Sequence, residues 1–342
     1  MSFSCVTCTR QSIPRCADGS TYAYLRASGP VAIGAVMRAG TVGRVVTSTR
    51  ARLDPAVGSS KVSVRLDSTI QIPVLEPLRV VNAALLELLD GFDADDWNRP
   101  TIHRDRNVKD LTAHLLHGSI RRVSALRDAY RPPADRSFST AAELTQFIQE
   151  DNREFMNGMS RVSPRIICEL IRRYDPELVS LFEALKPDAP GLGVVWAGEW
   201  QSQNWFDIAR EYTEKWHHQQ QLRDATGRPP LYNPELLVPA LETFARGLPF
   251  AYRGLQAPDG VAISISVGPP ADIAWTLRRT GNTWSLRSGA DRNPVTSISV
   301  SADLIWRLWT KGVAPTDARG RLEITGDPTH VEPLLHFVAI MA

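Results

Sequence analysis

Nowhere in its 342 residues does this chain run for the roughly 20 uninterrupted apolar residues that a membrane span requires, and the start of the chain lacks the apolar stretch of a secretory signal. Cysteine is scarce. Cys5, Cys8, Cys16 and Cys168 are too few and too lopsided for a disulfide framework, which points to a reducing compartment and a cytoplasmic protein. Charge of one sign is also lacking: 39 Lys and Arg against 37 Asp and Glu leave a formal charge of +2, too weak a field for a dedicated nucleic-acid binder. No G-x-S-x-G elbow is present, which leaves a Ser-His-Asp hydrolase without support. Gly191, Gly193 and Gly198 fall in a loop without the flanking strand and helix of a phosphate-binding fingerprint, so a dinucleotide site is unsupported as well. Small molecules remain as the expected partners of a monomer or homodimer.

What the chain does have is 43% hydrophobic residues, enough to bury a core in each of two domains. Residues 1–66 show neither helical nor strand periodicity and read as an extension that does not pack, the second reading being a targeting peptide rich in Arg and Ser. Cys5 and Cys8 form a lone C-x-x-C without a second pair, a weak sign of zinc or redox work. From Ile72 onward order begins. Leu78, Val81, Leu85, Leu88 and Leu89 mark one helix, ending at Gly91 in the left-handed closing position. Asn107 with Asp110 caps a second, from Val108 to about Tyr130. A short amphipathic piece surrounds Leu144, Phe147 and Ile148. Ser163-Pro164 opens the third long helix, and Asn204 with Asp207 opens the fourth, which reaches Gly227.

Four long amphipathic helices over residues 67–230 predict an all-α four-helix bundle whose sites face inward. After a helix from Pro234 to Leu248 the period changes. Residues 261–267, 275–277, 284–286 and 298–300 alternate as strands, with Arg279 to Asn282 as a turn, and Ala302–Thr310 and Pro328–Ile340 read as helices. Residues 231–342 are therefore expected to form a smaller α+β domain.

Glu214 and His218 stand four apart on the fourth helix, on one face and near enough to share a cation. His114 lies on the inward stripe of the second helix with Leu111 and Leu115. Each alone has an ordinary reading, as a satisfied core histidine or a solvated helix pair. Together they supply two nitrogens and an oxygen, which suits zinc or another divalent ion with a coordination position left open. His117 could replace or join His114, or sit at the rim. His217 is turned about 100° from His218 and orients neighbours or faces solvent. Arg106 and Arg210 could steer a carboxylate substrate toward the metal, but exposed arginines at helix starts are usually solvated surface and are not counted among the site residues.

Trp97-Asn98-Arg99-Pro100-Thr101, then residues 108–115, then Glu214-Lys215-Trp216-His217-His218, resemble the mycothiol-dependent maleylpyruvate isomerase family of the DinB-like metal-binding four-helix bundles. The C-terminal part, with Thr325-Gly326-Asp327, is similar to a sterol-carrier-like domain. The resemblance implies a divalent metal, usually zinc, on His114, Glu214 and His218. It also implies a low-molecular-weight thiol, mycothiol or similar, as cosubstrate in isomerisation of, or S-transfer onto, a small electrophile. Where the family carries a Cys-Pro-Gly-Trp-like run, Ile102-His103-Arg104-Asp105-Arg106 stands here, and the pocket mouth is expected to differ. The alternative is a non-catalytic binding protein, its metal structural and an apolar ligand held among Trp275, Trp284, Trp306 and Trp309.

Overall fold

The computed structural model describes residues 71–130, 138 and 140–340; the expectations for residues 1–66, including the Cys5-Cys8 pair, lie outside them. Among the described residues no helix is long and apolar enough to cross a membrane.

The helical part holds five long helices: α1 (Leu75–Asp90), α2 (Val108–Arg127), α3 (Ala141–Met159), α4 (Pro164–Glu183) and α5 (Asn204–Thr226). Local sequence sets most of their ends. Asn107 Oδ1 accepts from the Asp110 amide at 2.9 Å and Asp110 answers to the Asn107 amide at 3.1 Å, a reciprocal cap that fixes the start of α2. Ser163 caps α4 ahead of Pro164, and Gly227 ends α5 in the left-handed region at φ +67°.

Several boundaries depart from the expectations. Gly91 closes α1 at φ −86°, since its amide reaches back to the Glu87 and Leu88 carbonyls without a left-handed residue. α2 stops at Arg127 rather than near Tyr130. The piece around Leu144 is a full helix, α3, opened by a Thr140–Glu143 capping box. Its inward stripe passes through Asn152 before Met156, so apolar spacing understates its length. Asn204 does not cap α5: its Nδ2 donates to the Lys186 carbonyl at 2.9 Å, and Asp207 turns inward to Arg122.

α2 packs on α3, α4 and α5, and α1 on α4 and α5. α5 is the buried member: on its line of 23 residues the interior positions include Asp207, Glu211, Lys215, His217, His218, Gln219, Gln220 and Gln221. Burying polar groups is costly unless each finds a partner. Gln219 Nε2 donates to the Val81 carbonyl at 2.9 Å, and Gln220 accepts from the Leu231 amide at 3.0 Å. Lys215 Nζ lies 2.9 Å from both Asp175 oxygens, and Ser119 Oγ donates to the same carboxylate at 2.6 Å.

Beyond α5, α6 (Pro234–Ala245) leads to a five-stranded sheet of β1 (Ala262–Val267), β2 (Ile273–Thr280), β3 (Thr283–Ser288), β4 (Thr296–Val300) and β5 (Glu323–Gly326). The order is β3-β2-β1-β4-β5, with only the β1–β4 pair parallel, at Ile265 opposite Ile298. β5 escapes sequence reading because Glu-Ile-Thr-Gly on an edge has no apolar alternation. α7 (Ala302–Trp309) follows β4. The expected helix from Pro328 to Ile340 is a 3₁₀ turn at Pro328–Val331, then the single turn α8 (Glu332–His336) started by Pro333, then non-helical chain.

The chain is thus helical in its N-terminal part and carries a C-terminal sheet domain. One hydrophobic cluster runs from Val81 and Trp216 through Leu237 to Ile265 and Trp309. Trp216 meets Trp306 edge-on at 5.5 Å, and Arg307 pairs with Asp224 near the end of α5 at 2.5 Å. Trp275, Trp284, Trp306 and Trp309 are fully buried and pack ring to ring with neighbours such as Tyr252 and Phe337.

Replacing Asp175 by Leu leaves Lys215 buried without its counter-charge, and urea unfolding is expected to show a loss of about 3–5 kcal/mol. Adding Lys215→Met to Asp175→Leu should recover most of it. A double variant no more stable than the single one would contradict the pairing.

Candidate metal centre

His114 projects from the middle of α2, a helix whose phase is set by the Asn107–Asp110 cap and by Leu111 and Leu115 in the core. Glu214 and His218 project from α5, which Trp216 and Leu222 anchor in the two hydrophobic clusters. The two helices bring one ligand atom from each of His114, Glu214 and His218 within 4.8 Å of one another. That separation suits three donors around a single ion of the zinc class. The imidazoles of His114 and His218 meet edge-on, with centroids 4.7 Å apart.

The protonation pattern suits a cation as well. His218 Nδ1 donates to Gln221 Oε1 at 2.7 Å, which leaves its Nε2 turned to Glu214 Oε2 at 3.4 Å. A proton or a cation between that nitrogen and the carboxylate makes the contact favourable. His114 Nδ1 is buried with no hydrogen-bond partner among the described residues. Burial, then the charge of His218, push the His114 pKa well below its ordinary value. Burial alone would raise Glu214, but the His218 contact and the neighbouring His217 and His114 outweigh it, and the carboxyl titrates well below the usual range. A neutral His114 imidazole and an ionised Glu214 carboxylate are the forms in which these two groups bind metal.

The remaining histidines are held elsewhere. His117 turns toward α3, stacking on Phe155 at 4.3 Å with Nδ1 3.1 Å from Asn152 Oδ1, and takes no part in the cluster. His217 is buried rather than solvent-facing; its Nδ1 donates to the Thr213 carbonyl at 2.8 Å and its ring lies 3.9 Å from that of His218. Arg106 and Arg210 are not solvated surface either. Arg210 pairs with Asp207 at 2.9 Å and Glu211 at 2.6 Å, and only 7% of the Arg106 side chain is exposed.

Two neighbours of the cluster are absent from the sequence reading of the site. Gln221 fixes the His218 tautomer, in the manner of groups that orient metal-ligating histidines. It was findable as the polar residue one turn after His218. His103 comes from the loop before α2, its Nε2 donating to the same Gln221 oxygen at 3.2 Å and its ring 6.1 Å from that of His218. Only the fold of that loop reveals this: Thr101 binds the Arg106 carbonyl through both its amide and its hydroxyl, and Pro100 pairs with Asn107.

Burial, followed by the charge of His218, lowers His103 to about 4 and His217 to about 3, from an ordinary 6.5. Both are neutral when folded and take up protons on unfolding below about pH 6.5, so their contribution is complete above that pH and shrinks as pH falls toward 4. In chelator-treated protein the urea midpoint should therefore be level between pH 7 and 8 and drop between pH 6.5 and 4.5. A midpoint constant across the acidic span would contradict the neutral assignment.

Residues 78–223 match the family model of the mycothiol maleylpyruvate isomerase N-terminal domain. No curated protein matches the chain. Among solved structures, the crystal structure of a mycothiol-dependent maleylpyruvate isomerase is similar at 14% identity and TM-score 0.44, covering 73% of this chain and 91% of that one. A point mutant of that enzyme gives 13% and 0.43 over the same shares. A UbiJ-SCP2 ubiquinone synthesis protein is similar at 13% identity and TM-score 0.20, over 25% of this chain and 73% of that one. The segment that is similar to the mycothiol maleylpyruvate isomerase N-terminal domain, residues 78–223, is the one that carries His114, Glu214 and His218.

Proposed function

We propose that this chain is a cytoplasmic, metal-dependent isomerase that uses a low-molecular-weight thiol, mycothiol or a relative, on a small electrophile with an activated cis double bond. In this reading residues 67–230 form a DinB-like four-helix bundle, residues 231–342 a sterol-carrier-like α+β domain, and His114, Glu214 and His218 hold a divalent ion, zinc first. The observation that carries it is the convergence of these three donors, one of them a buried imidazole nitrogen with no partner among the described residues.

Bound there, zinc would supply the Lewis acidity that deprotonates a thiol, whose pKa is otherwise about 8.5. The chain's own residues do the rest. Glu214 and the two imidazoles act as ligands, not as proton carriers. Gln221 holds the His218 ring in one tautomer. A thiolate adding to the cis double bond makes a C–S bond and sends the π electrons onto the activating carbonyl; rotation about the new single bond, and their return with expulsion of sulfur, give the trans product and free the thiolate. Release of the adduct instead would make the same site an S-transferase. The binding-protein alternative is not favoured, because the four tryptophans proposed to line a ligand cavity are packed against one another and their neighbours.

His114→Ala and His218→Ala should each bring zinc, measured by elemental analysis, to background and lower the thermal midpoint, since metal affinity adds to folding stability. Gln221→Leu should weaken zinc about 10- to 100-fold while leaving the ligands in place. Purified zinc-loaded protein should catalyse cis–trans isomerisation of an unsaturated keto acid only when a thiol is present, and lose the activity to chelator. Isomerisation equally fast without thiol would overturn the reading.

A further inference from the structure

Gly118 lies one turn beyond His114 on α2, on the same face of the helix and about 5–6 Å from it. The contacts across the α2–α5 seam run antiparallel: His114 meets His218, Lys215 Nζ donates to the Leu115 carbonyl at 3.3 Å, and Arg122 meets Asp207 at 2.7 Å. Gly118, between Leu115 and Arg122, therefore stands level with the turn of α5 from Glu211 to Glu214. Burial singles out the same place. From Leu111 to Ser119 every residue of α2 is buried apart from His114 and Gly118, and from Glu211 to Leu222 every residue of α5 is buried apart from Glu214. The Glu214 side chain is 28% exposed where that of His218 is 3% exposed. Solvent thus reaches the centre along three neighbouring positions, and Gly118 is the one without a side chain.

Neither ordinary reason for a glycine inside a helix applies here. Gly118 is not among the residues with positive φ, so the backbone does not require it. Close packing does not require it either. A Cβ built on Gly118 meets no side chain and no neighbouring element within 4 Å, whereas on Gly193 it would lie 2.4 Å from the Trp200 carbonyl oxygen and on Gly247 2.5 Å from the Phe337 ring. Glycine in a helix interior weakens the helix relative to alanine. What it provides at this position is empty space, one turn from a metal-ligand histidine.

We propose that Gly118 keeps open a bay beside the metal centre that takes the body of the thiol whose sulfur is on the ion, so that the size of residue 118 sets the largest thiol the centre admits. The proposal rests on the isomerase reading above. A thiol held through sulfur has that end fixed among His114, Glu214 and His218, and the rest of it must leave by a path that protein does not fill. The space at Gly118 is one helical turn away, about 5.4 Å along α2. A leucine at this position fills it. An alanine methyl, with nothing within 4 Å, leaves most of it open.

The test uses the full chain loaded with cobalt, which takes the same nitrogen and oxygen donors as zinc and reports a bound thiolate by a sulfur-to-metal charge-transfer absorption. It is titrated with 2-mercaptoethanol and with the bulkier, uncharged N-acetylcysteinamide. Wild type should bind both. Gly118→Leu should hold as much cobalt as wild type, bind 2-mercaptoethanol unchanged and lose about tenfold or more in affinity for N-acetylcysteinamide, the clash of a filled space. Gly118→Ala should raise the thermal midpoint, keep its cobalt and weaken N-acetylcysteinamide less than Gly118→Leu does. Thiol binding needs no turnover, so this size limit in a protein that isomerises nothing would sink the isomerase reading and keep the bay. Isomerisation by wild type, with both thiols bound equally well by Gly118→Leu, would do the reverse. No thiolate absorption in wild type, equal loss of both thiols or loss of cobalt in Gly118→Leu, or a lower midpoint in Gly118→Ala would each overturn the proposal.

Discussion

The structure depends on keeping a polar helix dry. α5 crosses the interior with acids, amides, a lysine and two histidines along it, and in a medium that cannot hydrate them every donor and acceptor has to be met by protein. Most are met by neighbouring carbonyls, amides or opposite charges within α1, α2, α4 and the segment before α6. The matching is not complete: among the described residues Asn82 Oδ1 on α1 and Arg122 Nε on α2 have no hydrogen-bond partner. His114 Nδ1 and His217 Nε2 are orphaned on α2 and α5, and Glu214 faces the His218 Nε2.

The three donors were legible in the sequence because a spacing of four on a helix is a geometric statement, and because the His114 stripe names its own inward face. The α2 start was legible for the same reason, Asn107 and Asp110 being chemistry that acts over three residues. What stayed hidden depends on contacts between distant segments. Gln219-Gln220-Gln221 reads as a surface run until Val81, Leu231 and His103 are seen to receive it. Arg106 looks like an exposed loop arginine because nothing local reports the packing that buries it. Asn204 has the right residue type for a cap, yet a longer-range partner, the Lys186 carbonyl, outcompetes the local bond.

The electrostatics of the centre follow from the same burial. Burial makes the His103, His114 and His217 imidazoles poor proton acceptors, while the contact with His218 holds Glu214 ionised. The salt-bridged network of Arg122, Asp207, Arg210 and Glu211, one to two turns along α5 from Glu214, is neutral in sum and adds rigidity instead of field.

A single amide oxygen of Gln221 receives both His218 on α5 and His103 from the loop before α2. Two segments more than a hundred residues apart are thereby yoked through one acceptor. A substitution that shifts residues 101–107 is, for this chain, also a change in what holds the His218 ring.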